Sequence, residues 1–384
     1  MEQKAINKPD SLANVNQEMI DHAKKEVVMD EAFVSSIMKS EGYKSFEEGN
    51  FSIGNVSDED FFRNKFSCQW QLGAFNEVPK NKCHLVTGFG PTNSPTGGTL
   101  SIILRALFFD KYAKIDSTII ISNLGAFNSR NIGIDKIQQI TPRFFEFLRL
   151  LGYKGEVRTH DDRDMLVVSA FTSKVTQLND FIKNQEATAK LYQKLGIQGN
   201  DFGTYLDMNF TVADIVVPFI KERKERVLVF VGIEEYYFPK LAEIVTDRLQ
   251  NKYGTLFTEN NIKVSAIFGK LINGLNGYPK MSKSIPDSSI NLDDSDDVIK
   301  KKIMECDPED EKVILQMIQL VSDWEVSKVN KAKQSFEENS PEWNKMKTEY
   351  LKYYLNIKRL WEKTRPKKKV FFNLKDNFFG NNRA

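Results

Sequence analysis

Apolar residues early in the chain recur at helical spacing. Ile20, Val27, Val28, Phe33, Ile37 and Met38 form a stripe that predicts one or two amphipathic helices between Val15 and Gly42, after a frayed polar stretch over 1–14. Residues 43–80 are rich in aromatics but keep no period. Within them a helix is expected to start at Ser57, where Ser57-Asp58-Glu59-Asp60 supplies a capping hydroxyl and acidic first-turn residues. Leu85 through Phe89 then reads as a strand, and Gly90-Pro91-Thr92-Asn93-Ser94-Pro95-Thr96-Gly97-Gly98 as turn chemistry. Thr99 through Ala113 returns to helical spacing, with Leu100, Ile103, Leu104, Leu107 and Phe108 on one side. Thr118 through Ile121 is a β-branched run. Strand, glycine loop, helix and strand within about forty residues make a βαβ unit with a right-handed crossover.

Further along, 129–152 is expected to be helical, with Pro142 kinking or dividing it. The stretch 153–200 is less regular and ends in a helix around Ala187–Leu195. Asp207 to Phe219 is an apolar run that encloses Asp214. Val227–Val231 and Val264–Phe268 are strand candidates separated by a helix over Phe238–Tyr253. Strands that are continuously apolar and alternate with helices predict a parallel, Rossmann-like α/β sheet covered on both faces. Beyond the acidic helix start at Asp293–Asp297 the pattern is all-helical, through Lys300–Met304, Val313–Val321 and Trp343–Lys363. The division expected is an N-terminal helical and irregular extension (1–80), an α/β domain (81–290) with an insertion near 129–205, and a C-terminal helical domain (291–384). The basic, aromatic tail from Arg365 to Phe372 reads equally as a solvated end or as a contact for RNA phosphate.

Composition narrows the chemistry. The 384 residues are 41% apolar and 28% charged with a net charge of +2, as in a globular protein without a global basic field. Cys68, Cys83 and Cys306 are too few and too scattered for a disulfide framework or a zinc quartet. With three histidines, no protein metal site is expected. A polar start and the lack of a membrane-length apolar run lead us to expect a soluble cytoplasmic protein.

Two stretches remain as candidate chemistry. The glycine loop after the first strand leaves backbone N–H groups at a helix N-terminus, where the dipole favours an anion. It lacks both the dinucleotide fingerprint and the lysine of a P-loop, so neither chemistry is supported. Far downstream, Gly277-Tyr278-Pro279-Lys280-Met281-Ser282-Lys283-Ser284 sets two lysines three apart beside a glycine-proline turn. Compact ammonium groups on a mobile loop suit a polyphosphate whose charge rises as a bond breaks.

Lys280-Met281-Ser282-Lys283-Ser284, with its continuation through Ile290 and the later Ile299–Ile303, resembles the signature loop of class I aminoacyl-tRNA synthetases of the tyrosyl/tryptophanyl group, closest to the tryptophanyl-tRNA synthetases. Gly88 through Leu100 resembles their first motif, and Gly232-Ile233-Glu234-Glu235 their Gly-x-Asp-Gln segment. The resemblance implies that Gly88, Phe89, Gly90, Gly98, Gly232, Glu234, Met281, Ser282 and Ser284 bind ATP, with Glu234 on the ribose. It implies that Thr96, Thr99, Lys280 and Lys283 act on the phosphates, and that Thr211, Asp214 and Glu235 face the amino acid. ATP, Mg²⁺, an amino acid such as tryptophan, tRNA and a homodimeric state follow as expectations.

The sequence also departs from that family. Thr96-Gly97-Gly98-Thr99 replaces both histidines of the first motif, although bacterial tryptophanyl enzymes also use a threonine and an asparagine there. Glu234 and Glu235 replace aspartate and glutamine, and Asn123 occupies an acid position where we expect a structural role. The reaction implied is in-line attack of a carboxylate on the α-phosphorus of ATP, driven by positioning and charge stabilisation. Two alternatives stay open: a divergent paralogue that adenylates an amino acid for a non-tRNA acceptor, and a non-catalytic regulatory relative.

Overall fold

The computed structural model describes residues 31–46, 51–129, 132–181, 202–257, 261–278, 280–281 and 286–365. The expected helix at 187–195, the first three residues of the first apolar stripe (Ile20, Val27 and Val28) and the basic tail from Pro366 lie outside them. The first described elements are α1 (Glu31–Glu41), α2 (Glu59–Lys65), β1 (Phe66–Trp70) and α3 (Leu72–Phe75). Next come β2 (Cys83–Phe89), α4 (Gly97–Tyr112), β3 (Asp116–Ile121), α5 (Asn123–Ser129), α6 (Ile134–Leu151), β4 (Glu156–Thr159) and α7 (Arg163–Val175). Then follow α8 (Phe202–Lys221), β5 (Arg226–Gly232), α9 (Phe238–Tyr253) and β6 (Lys263–Gly269). The C-terminal helical region is α10 (Asp296–Met304), α11 (Glu311–Leu320), α12 (Val326–Glu337) and α13 (Pro341–Lys363).

The sheet order is β1-β6-β5-β2-β3-β4, parallel throughout except for the antiparallel edge strand β1. This is the Rossmann-like α/β arrangement that continuous apolarity in the strands predicts. Alternate residues serve opposite faces. Leu228 and Phe230 pack with Phe66, Phe75 and Phe109, whereas Val227, Val229 and Val231 pack with the buried sides of α8 and α9.

Several local expectations shift. The aromatic stretch 43–80 supplies α2, β1 and α3, because its rings find one another: Phe46 stacks on Phe62, and Phe51 meets both edge to face. The N-cap of α2 is Asp58 rather than Ser57; Asp58 Oδ1 accepts from the Phe61 N–H at 3.0 Å. Pro142 does not divide α6. The buried stripe of Ile137, Ile140, Phe144, Phe147 and Leu148 outweighs the one backbone bond that proline forfeits, and Gly152, at φ 87°, ends the helix where a left-handed residue is needed. Stretch 153–200 contains β4 and α7, which were too short or too weakly periodic to read.

The C-terminal helices share a core with α6. Trp361 is fully buried against Phe144 and Phe147, with the Arg143 guanidinium 4.0 Å above its ring, and its Nε1 donates to Asp293 Oδ1 at 3.0 Å.

At the N-terminal ends of the strands a polar network closes the sheet. His84 Nε2 lies 2.8 Å from Thr118 Oγ1 and His84 Nδ1 2.8 Å from Glu222 Oε2, while Arg158 pairs with both Glu222 and Glu156. Burial pushes the Glu222 carboxyl up, but His84 and Arg158 outweigh it and hold it at about 2, below its ordinary 4.5. A depressed carboxylate stabilises the fold above its unfolded value and loses that contribution as pH falls through the folded one. Stability from this network is therefore full above pH 4.5 and fades towards pH 2. Glu222→Gln is expected to cost about 1–3 kcal/mol at neutral pH and to flatten the fall in urea midpoint between these two pH values. An equally steep fall in the variant would contradict the assignment.

Candidate functional site

The sheet order reverses between β2 and β5. The chain leaves β2 through α4 towards β3 and leaves β5 through α9 towards β6, so the two helices lie on opposite faces and a crevice opens at the strands' carboxyl ends. The glycine loop lines its rim. Thr96, in extended backbone at the N-cap of α4, makes no side-chain cap bond, so the first N–H groups of the helix have no intrahelical acceptor. A Cβ added to Gly98 would meet only Thr96 Oγ1 at 4.0 Å, which leaves space beside it for a flat group to approach. Thr96 and Thr99 are buried at the same turn.

The lysine loop comes to this turn. A Cβ on Gly97 would lie 2.8 Å from Met281 Sδ and 2.5 Å from Met317 Sδ, so the second residue of the lysine motif and a residue of α11 pack on the glycine that opens α4. Gln316 Oε1 accepts from the Asn273 N–H at 2.9 Å, and both Asp310 oxygens accept from the Asn276 N–H at 2.8 and 3.0 Å. The segment leading into Lys280 thus hangs from the C-terminal helices. Ser282, Lys283 and Ser284 lie outside the described residues.

Beneath the glycine loop is a cavity of about 90 Å³. Of the residues expected to bind substrate, Gly88, Phe89, Gly90, Thr211, Asp214 and Glu235 line it together. A cavity of about 150 Å³ is needed to hold benzene, so a bicyclic side chain would enter only as lining side chains turn aside. From β2, β3, β5 and α8, Val86, Ile120, Val229, Val231 and Ile215 give the cavity an apolar share of its walls, and Thr87, Ser122, Asp207 and Thr211 a polar one. Into this setting α8 projects Asp214, which is buried. Its Oδ2 lies 3.1 Å from Nε2 of His160, and its Oδ1 is buried without a hydrogen-bond partner. Burial pushes the Asp214 carboxyl above its ordinary value, and the facing His160 offsets only part of that.

At the end of β5, Glu234 folds over Gly232 and leaves Oε2 buried without a hydrogen-bond partner. Behind it Arg105 of α4 is fully enclosed. It donates to Ser101 O and Oγ and to Lys65 O, stands over the rings of Phe66 and Phe230, and fills the space above Gly269. Burial lowers its pKa to about 9, and Glu234 works against that.

His160, Ser122 and Asp207 were not anticipated as site residues. Asp207 and Ser122 line the cavity, and His160 stands behind it. His160 follows β4, a four-residue strand with a weak pattern, so no local signal sets this histidine beside Asp214. Asn123, expected to be structural, is so. Its Oδ1 accepts from the His160 N–H at 3.0 Å and its Nδ2 donates to Asp161 Oδ1 at 2.7 Å.

A parallel sheet with its crevice at a switch point, a glycine loop opening one helix and Met281 of the lysine motif packed on that turn define a doubly wound α/β protein. The family model for tRNA synthetases class I (W and Y) matches residues 164–369, more than half of the chain. The chain belongs to the class I tRNA synthetases of the tryptophan and tyrosine group, which are aminoacyl-tRNA ligases. Among curated proteins none matches. Among solved structures, a tryptophanyl-tRNA synthetase from Aeropyrum pernix K1 aligns over 86% of this chain and 94% of its own with 16% identity and a TM-score of 0.65. A tryptophan-bound tryptophanyl-tRNA synthetase from Encephalitozoon cuniculi aligns over 91% and 95% with 18% identity and a TM-score of 0.59. A tyrosyl-tRNA synthetase from Aeropyrum pernix aligns over 79% and 92% with 16% identity and a TM-score of 0.56. At these identities the likeness is one of fold. The family match starts after the glycine loop, so the reading of that loop rests on its geometry.

An orphaned carboxylate oxygen is costly in the ligand-free protein. Asp214→Asn keeps an acceptor for His160 and removes the buried charge, so its thermal midpoint should equal or exceed that of the parent, by up to about 1 kcal/mol of stability. A large loss of stability would show that Asp214 holds the fold rather than serving the cavity.

Proposed function

We propose that this synthetase activates tryptophan with ATP and passes it to tRNA. The observation that carries the reading is the buried, unpartnered Oδ1 of Asp214, a residue that lines the cavity beneath the glycine loop. An unpaired acceptor on a residue set beside Val86, Ile120, Ile215, Val229 and Val231 suits a planar group with one N–H donor, and the indole Nε1–H is a donor only. In this reading the N–H groups that open α4, with Thr96 and Thr99, receive the phosphates, and adenosine lies beside Gly98. Glu234 Oε2 takes a ribose hydroxyl. Lys280 and Lys283 neutralise the departing pyrophosphate, and Gly90 lets backbone and nucleotide approach closely. The carboxylate attack needs no protein nucleophile; positioning supplies the rate.

Mg²⁺ fits this site as a companion of the nucleotide. It keeps several waters and binds phosphates with one or two carboxylates, which asks for no protein cage. Among the described residues no group of three or more histidine, cysteine or acidic side chains is placed to hold a metal. When bound, it would lower the charge on the phosphates. The exposed rings and aliphatic side chains of Phe127, Leu166, Val167 and Phe202, on α5, α7 and α8, support the homodimer that belongs to this reading. Among the described residues no helix is long and apolar enough to cross a membrane.

The histidine-free turn at 96–99 and the acids at 234 and 235 favour a second reading, adenylation for an acceptor other than tRNA. Pyrophosphate exchange across the twenty amino acids, followed by charging of bulk tRNA, separates the two. Tryptophan-dependent exchange with charging is expected; exchange without charging supports the second reading. Failure of exchange with every amino acid would contradict both. Lys283→Ala should lower the exchange rate about 10²–10³-fold with tryptophan affinity retained, and undiminished exchange would remove the lysine loop from the mechanism.

A further inference from the structure

The His160 ring is fully buried and held on every side. It stacks on Phe210 with centroids 4.8 Å apart, and its backbone N–H is fixed by Asn123. Nδ1 receives the Gly125 backbone N–H at 3.2 Å and lies 3.3 Å from Ser122 Oγ. Only glycine permits this approach, because a Cβ at 125 would meet Asp207 Oδ1 at 2.0 Å, Ser122 Oγ at 2.2 Å and His160 Cε1 at 3.0 Å. A backbone N–H can only donate, so Nδ1 is an acceptor, and the neutral ring must carry its proton on Nε2. That proton points at Asp214 Oδ2, 3.1 Å away.

We propose that His160 is a positioning residue for amino-acid selection: it carries its proton on Nε2, occupies Oδ2 of Asp214 with it, and leaves Oδ1 as an acceptor reserved for a donor on the substrate's side chain. The proposal rests on the reading of this cavity as the amino-acid subsite and adds the reason that the cavity prefers donors. Burial opposes a charged ring, but Asp214 and Asp207 on α8 and Asp161 beside His160 outweigh it and raise the His160 pKa above its ordinary value. Against that stands the Gly125 N–H, which makes Nδ1 an acceptor, because a proton on Nδ1 would face another proton. Without the imidazole, Asp214 has no fixed partner. Its carboxyl is free to rotate or to take up a proton, and a protonated carboxyl would offer a donor where the substrate offers one too. Selectivity should fall before the fold does.

Two experiments on the full chain test this. The first compares pyrophosphate exchange with tryptophan and with the isostere whose ring carries sulfur in place of N–H. The parent should prefer tryptophan by about 10²-fold or more, since a site built around a hydrogen bond rejects the analogue that lacks it. In His160→Phe the preference should fall to within about tenfold, mostly through the KM for tryptophan, with the KM for ATP unchanged. His160→Gln, whose amide can still donate to Asp214, should recover part of it. Equal losses on both amino acids, with the ratio unchanged, would mean that His160 only supports the fold and would overturn the proposal. The second reads the ring proton directly by ¹⁵N NMR of histidine-labelled parent protein, tractable with three histidines in the chain. At pH 8 the signals of His160 should report a neutral ring with Nδ1 unprotonated; an imidazolium or an Nδ1–H ring would overturn the proposal. This readout needs no activity, so a parent protein inert towards tryptophan would defeat the functional reading while the ring proton still decides the role of His160.

Discussion

The functional crevice exists because two neighbouring parallel strands send their helices to opposite faces. Right-handed crossovers from β2 to β3 and from β5 to β6 run in opposite directions along the sheet, so neither α4 nor α9 covers the carboxyl ends of β2 and β5. Everything assigned to the site uses that gap. The glycine loop fills one bank, Glu234 and Glu235 the other, and Asp214 reaches its floor from α8. The gap is kept open by a rigid frame. Arg105 ties α4 to the carbonyl of Lys65 between the rings of Phe66 and Phe230, and so fixes the helix against both β1 and β5.

The C-terminal helices matter to the same crevice. Met317 packs on Gly97 beside Met281, and Gln316 and Asp310 bind the backbone that leads to Lys280. Trp361 and Arg143 fasten those helices to α6. A displacement of the helical region would therefore be felt at the glycine loop without passing through the sheet. Charged groups sit at both ends of this frame. His84 and Arg158 form ion pairs with Glu222 at the closed end of the sheet, and at the open end Asp214 Oδ1 and Glu234 Oε2 are buried without hydrogen-bond partners. Buried polar atoms left unpaired are expensive, and a ligand donor at either open-end carboxylate would relieve that cost.

Legibility in the sequence followed the strength of the local signal. The βαβ unit, β5, α9 and β6 were readable because apolar runs were continuous and the loops carried glycine and proline. The glycine loop and the lysine motif were readable because their chemistry is short and contiguous. The edge strand β1 was not, since its partner β6 lies about two hundred residues away and only that pairing makes it a strand. Asp214 was legible as an acid in an apolar run, but not its orphaned oxygen. That feature needs His160 from after β4 and Gly125 from α5, residues brought together only by the sheet. Pro142 misled for a related reason: the cost of proline is local, and the packing that overrides it is not.

The central claim is that one crevice holds a nucleotide between the glycine loop and the lysine loop and presents the amino acid to Asp214. A crystal structure with a non-hydrolysable tryptophanyl-adenylate analogue tests it most directly. The account predicts adenine beside Gly98, ribose on Glu234, and the indole N–H within about 3.2 Å of Asp214 Oδ1. An analogue bound elsewhere, or one seated in the crevice with that oxygen still unpartnered, would contradict it.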